Sequence, residues 1–230
     1  MSLASPLPLP QAAPARARGR PRKTPDERDD GNRRLELLAA AAKLFRQQGF
    51  AATSTRDIAA AAGMRSGSPF YHFENKQALL AAVMQEGMRS ALQRQNAALA
   101  RLSDGASAEA RLQALVRNHF EVLLGPDSDF IPVMLYEWRA LGEQQVAEIK
   151  ALKDVYEAAW VPVLNGLHAE GRLAGEPVLA RLMIFGALNW TVQWYRPPKA
   201  AARSAKRAAD RAGLDELTAS ALSLFLKAPK

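Results

Sequence analysis

The residues best suited to chemistry lie between Gly49 and Leu80, in the run GFAATSTRDIAAAAGMRSGSPFYHFENKQALL. They include no nucleophile–base pair, phosphate-cradling glycine loop or metal cluster. They offer hydroxyls, helix starts and cations, the groups that hold phosphates and base edges. Ser54-Thr55-Arg56-Asp57 has the form of a capping box, with the N-cap at Ser54 and its acid three residues on. Gly63 ends that short helix where a left-handed residue is needed. Ser66 can cap a second short helix, and Pro69 is tolerated there because it falls in the first turn. Gly67 and Ser68 keep the start of the second helix small, so its first residues, with Arg65 and Ser66 at the edge, can press into a major groove. Tyr71 and His72 are expected to point outward, with Phe70 and Phe73 toward the core. Thr53, Thr55 and Lys76 are placed to hold phosphates, and Asn75 to cap the next helix.

The segment before this run adds charge. Ala15 to Lys23 reads ARARGRPRK, and its Arg-Gly-Arg-Pro core resembles an AT-hook. Arg20 and Arg22 would then lie in a narrow A·T minor groove. The plainer alternative is a flexible basic tail that attracts phosphates without reading sequence. The whole chain of 230 residues carries a net charge of +8, which favours a polyanionic partner over an acidic one. It has no cysteine, so disulfides and thiolate metal sites are excluded, and its three histidines lack ligand spacing. No metal and no cofactor is expected. The proline-rich start has its basic residues after the apolar run, the wrong order for a signal peptide. The apolar stretch Pro177–Tyr195 contains Arg181, Asn189 and Gln193, which argues for a buried helix and against a membrane span. The expectation is a cytoplasmic protein with no membrane partner and no enzymatic activity.

The elements that must position these residues are helices. Leu35, Leu38, Ala42 and Phe45 recur at helical spacing and stop at Gly49. Leu80, Met84, Met88 and Leu92 continue the pattern after Asn75. Ile149 to Leu167 keeps the same period, with Pro162 expected to kink one long helix. No stretch alternates with period two, so the fold class is all-α. Three segments are predicted: a disordered basic arm over 1–30, a three-helix helix-turn-helix domain over 31–78, and a larger helical domain over 79–230.

The larger segment holds the aromatics Tyr136, Trp138, Trp160, Trp190, Trp194 and Tyr195. Taken singly each suits a core. As a set, with His119, Asn189, Gln193 and Arg139 as polar anchors, they suit an apolar ligand pocket.

The run TRDIAAAAGMRSGSPFYHFENKQALL resembles the helix-turn-helix signature of the TetR/AcrR regulators. Ile58, Ala59, Ala62, Gly63, Gly67, Phe70, His72, Phe73, Asn75, Lys76 and Leu79 fall on it in register. Two departures, Arg65 and Pro69, stand at the DNA-facing edge. The resemblance implies a homodimer on a palindromic double-stranded DNA operator, released when a small-molecule effector binds. It implies repression more readily than activation. A sequence-nonspecific architectural DNA-binding protein is the alternative. Gly186 to Pro197, GALNWTVQWYRP, is similar to the penultimate helix of acyl-CoA-responsive members, although the basic segment Lys199–Arg211 then intervenes before the last helix. The resemblance further implies pairing of the last two helices with their mates, a role suited to Leu214, Leu217, Ala221, Leu224 and Phe225.

Overall fold

The computed structural model describes residues 25–64, 72–125, 128–196 and 213–228. Within them the chain forms α1 (Pro25–Ala52), α2 (Thr55–Ala61), α3 (Lys76–Ala100), α4 (Ala108–Leu124) and α5 (Phe130–Glu137). A 3-10 turn over Trp138–Ala140 follows, then α6 (Glu143–Ala158), α7 (Trp160–Ala169), α8 (Pro177–Trp194) and α9 (Leu214–Phe225). No strand is present among the described residues; Leu173 and Leu226 form a single isolated bridge. No described helix is long and apolar enough to cross a membrane.

Local signals set the starts. Ser54, Asn75 and Ser107 each accept a hydrogen bond from the backbone N–H three residues on, satisfying an N–H that the helix itself cannot. Gly49 and Gly63 carry φ of 83° and 65°, which is how the chain turns sharply on either side of α2.

α3 begins at Lys76 inside the first globular segment and runs to Ala100 inside the second, so both share one rod. Leu37, Leu38, Phe45, Ile58, Phe73 and Leu79 pack the small head around its first turn. Leu80, Met84, Leu112, Leu115, Trp160 and Leu188 continue the same core into the larger part. Gly87 lets α5 cross close to this rod. A Cβ there would stand 2.7 Å from Phe130 Cβ, nearer than real side chains approach.

The long helix expected over 149–167 is two helices. The break falls at Ala159, three residues before Pro162, which sits in the first turn of α7. A proline there cannot donate to the carbonyl four residues back, so the preceding turn is released. Gln95 of α3 bridges the two sides of the break. Its Nε2 donates to the Tyr156 carbonyl at 2.9 Å, and its Oε1 accepts from Trp160 Nε1 at 3.0 Å.

Candidate DNA interface and effector cavity

The head presents the start of α2 to solvent. Ser54 Oγ accepts from the Asp57 N–H at 3.1 Å, and the Ser54 N–H donates to Asp57 Oδ2 at 3.1 Å. The Ser54 hydroxyl also donates to Asp57 Oδ2 at 2.6 Å, and this bond, with the one from the Ser54 N–H, holds the Asp57 carboxyl below its ordinary range. Thr55, half-exposed, and Arg56, exposed, stand beside this cap, so an anion approaching here meets a hydroxyl and a guanidinium with Asp57 next to them. His72 is half-buried, its ring tilted against Phe73. The expected contacts Arg20, Arg22, Arg65, Ser66, Gly67, Ser68 and Tyr71 lie outside the described residues.

Two expected phosphate ligands are turned inward. Thr53 is 1% exposed, and its hydroxyl donates to the Gly49 carbonyl at 2.7 Å. Lys76 donates to the carbonyls of Phe50 and Thr53, both at 2.8 Å, with its ammonium 4.3 Å from the centre of the Phe50 ring. The carbonyls after Gly49 have lost their helical donors, and the ammonium replaces them. Both residues therefore build the head instead of facing a duplex.

The apolar cavity lies among α3, α4, α5, α6 and α8. Met88, Ala91, Val122, Ile131, Met134 and Phe185 form its walls, with His119, Tyr156, Asn189, Lys153 and Glu157 supplying polar groups. Its free volume is about 40 Å³, room for a few waters and no more. Of the six expected ligand residues, His119 lines it. Trp160 is fully buried behind it, with ring centroids 4.7 Å from Phe185 and 6.1 Å from His119. Tyr136, Trp190 and Trp194 are exposed, and Trp138 packs in the 3-10 turn; none of the four lines the cavity. Of the suggested anchors, Asn189 lines the cavity, Gln193 donates to the Tyr136 hydroxyl at 2.6 Å, and Arg139 is exposed.

The polar wall is ordered. His119 Nδ1 lies 3.1 Å from the Tyr156 hydroxyl, and His119 Nε2 lies 3.1 Å from Asn189 Oδ1. Burial pushes the His119 imidazole down to about 4, against a smaller opposing effect of Asn189, so the ring is neutral at pH 7. Burial raises the Tyr156 phenol; the neighbouring Asn118 amide offsets part of this, and Glu157 adds to it. Glu157, itself buried, binds Lys153 Nζ at 2.9 Å and also pairs with Arg181 of α8. Met88, Met134, Lys153, Tyr156 and Glu157 were missed as cavity residues in the sequence. Each fits its helix's apolar period or charge pattern and so looks like ordinary core or surface.

Two elements touch both cavity and head. α3 contributes Met88 and Ala91 from its middle and Lys76 at its start. α5 contributes Ile131 and Met134 to the cavity, while its ends grip the head. Asp129 pairs with Arg46 at 2.9 Å, and Glu137 Oε1 accepts the Phe50 N–H at 3.1 Å, in the turn after Gly49. Gln77 of α3 donates to the Ala140 carbonyl at 2.6 Å.

The expected dimer residues divide differently. Leu217 and Ala221 are buried against this chain's own core, Leu214 and Phe225 are partly buried, and Leu224 is exposed. The first two are occupied within the protomer. Among the described residues an exposed apolar stripe lies on α8, formed by Leu179, Leu182, Met183, Trp190 and Trp194. Ile184, Phe185 and Leu188 on its other side are buried. A helix apolar all round is stable when covered on both faces.

Comparison with known proteins places this geometry. Residues 37–83 match "Bacterial regulatory proteins, tetR family", and residues 105–205 match "Tetracyclin repressor-like, C-terminal domain". The HTH-type transcriptional repressor KstR2 of Mycobacterium tuberculosis is 31% identical over 174 residues, 72% of this chain and 82% of the relative. The fatty acid metabolism regulator protein of Bacillus subtilis is 26% identical, over 69% of this chain and 80% of its own. A crystal structure of the Bacillus subtilis regulator FadR with stearoyl-CoA has a TM-score of 0.63 at 23% identity, covering 83% and 96% of the two chains. The superantigen PfiT superposes with a TM-score of 0.68 at 36% identity, covering 85% of this chain and 97% of that one. Helix-turn-helix head, shared α3 rod and helical effector part together make this chain a member of the TetR family of transcriptional regulators.

Proposed function

We propose that this regulator represses transcription as a homodimer on a palindromic operator, and that an acyl-CoA thioester entering the cavity releases it. Residues 31–78 serve as the reading head and residues 79–230 as the effector and dimer part. The basic segment that follows the minor groove lies ahead of α1, which starts at Pro25 and so takes up the last residues of the arm expected over 1–30. The observation that carries this reading is the double attachment of α3 and α5, each lining the cavity and holding the head. An apolar chain cannot enter about 40 Å³ of free space, so binding must part the helices around the cavity. Met88 and Met134, unbranched and adaptable, are the side chains best able to yield. Movement of α3 or α5 reaches the head through Lys76, Glu137 and Arg46.

An acyl-CoA is favoured by the apolar walls and by the similarity to the regulator crystallised with stearoyl-CoA. The α8 stripe, extended by Leu224, is the surface on which two protomers would pair. Thr55, Arg56 and His72, with Arg65 to Tyr71, would meet DNA.

The test is fluorescence anisotropy on fragments of the protein's own upstream DNA, with decanoyl-CoA titrated into the complex. Competitor-resistant binding that decanoyl-CoA reverses supports the reading. Equal binding to scrambled DNA would favour an architectural protein, and binding indifferent to decanoyl-CoA would remove the proposed effector.

A further inference from the structure

The cavity's polar wall carries more than its presence. Asn189 presents its Oδ1 to His119 Nε2, and an amide oxygen can only accept, so the imidazole proton sits on Nε2. A neutral imidazole protonated there accepts at Nδ1, and the phenol's own proton is directed to it, 3.1 Å away. The Asn189 amide thus has its oxygen toward His119 and its NH₂ on the other branch, and Asn189 itself lines the cavity. The charged groups at the wall do not compete for this position, because Lys153 and Arg181 are both held by Glu157.

We propose that Asn189 donates a hydrogen bond to the thioester carbonyl oxygen of the bound acyl-CoA, so that the cavity selects a carbonyl and not merely an apolar chain. This rests on the effector reading above. The chemistry favours an uncharged acceptor. A carboxylate in the same place would have to draw Lys153 or Arg181 away from Glu157 to gain a cation, whereas a thioester oxygen needs only a donor. A ligand without that oxygen leaves the Asn189 N–H desolvated and unpaired, which is the strongest way a site rejects an analogue.

The probes are decanoyl-CoA and S-decyl-CoA, a thioether in which a methylene replaces the carbonyl. Both are titrated calorimetrically into the full-length protein. The wild type is expected to bind the thioester roughly tenfold more tightly than the thioether. Asn189→Asp keeps the oxygen that accepts from His119 but loses the donor, and should bring the two affinities within about twofold. Thermal unfolding of the unliganded variant checks that it folds. Equal affinities in the wild type overturn the proposal while leaving the effector reading intact. A thioester preference that survives in Asn189→Asp also overturns it, because another group then reads the carbonyl. Failure of the folded wild type to bind either probe overturns both the proposal and the effector reading.

Discussion

At the scale of the residue, His119 is the most informative group. Its imidazole is held neutral by burial, down to about 4 from 6.5. In the unfolded chain it binds a proton near 6.5, and in the folded chain only near 4. The stability it permits is therefore complete above pH 6.5 and is lost as pH falls toward 4. Integrated over that window the loss is roughly 3 kcal/mol. Urea unfolding at pH 7, 5.5 and 4.5 should show this slope, and His119→Gln should flatten it; an unchanged slope in the variant would place the titration elsewhere. Lys76 makes the second prediction. Its ammonium satisfies two carbonyls after Gly49, so Lys76→Met should lower stability by about 2 kcal/mol, measured without DNA. A simple phosphate ligand would leave the free protein's stability alone. The sequence pointed to Lys76 but not to its role, because a cation after a helix cap suits either use until the chain's return to Phe50 is known.

At the scale of the element, the head was legible and the cavity was not, for one physical reason. The head is made by neighbours in sequence: Ser54 caps with Asp57, Gly63 turns, Asn75 caps α3. Each signal lies within four residues of what it controls. The cavity is assembled from five helices between Met88 and Asn189, and no local spacing reports which face of each meets the others. His119 could be nominated as a polar residue in an apolar period, but Tyr156 looked like core, and Trp190 and Trp194 looked like pocket. α5 shows what this costs a sequence reading. It is eight residues long, yet it joins cavity to head at both ends. Glu137→Gln should weaken the grip on the Phe50 N–H and blunt effector-driven release several-fold, with operator and effector affinities measured separately changing much less. Release at the wild-type effector concentration would leave α3 as the sole route.

At the scale of the whole molecule, the exposed apolar surface lies more on α8 than on the last helix. α9 spends Leu217 and Ala221 on its own protomer, and among the described residues α8 keeps an apolar outer face. A residue pattern apolar on both sides cannot say which side is inward; packing decides that. Met183→Glu with Trp190→Glu should yield a folded monomer in ultracentrifugation with operator affinity reduced at least tenfold, since two heads no longer bind together. Leu217→Glu should unfold the protomer instead of splitting a dimer. The charge of +8 assists binding to any duplex, so affinity alone does not identify an operator reader. The most direct measurement is footprinting of the full-length protein on its own upstream DNA at physiological salt, against excess scrambled duplex, with and without decanoyl-CoA. The account predicts a protected palindrome that survives the competitor and disappears when the thioester is added. Protection that follows the competitor, or that persists unchanged at saturating thioester, would contradict it.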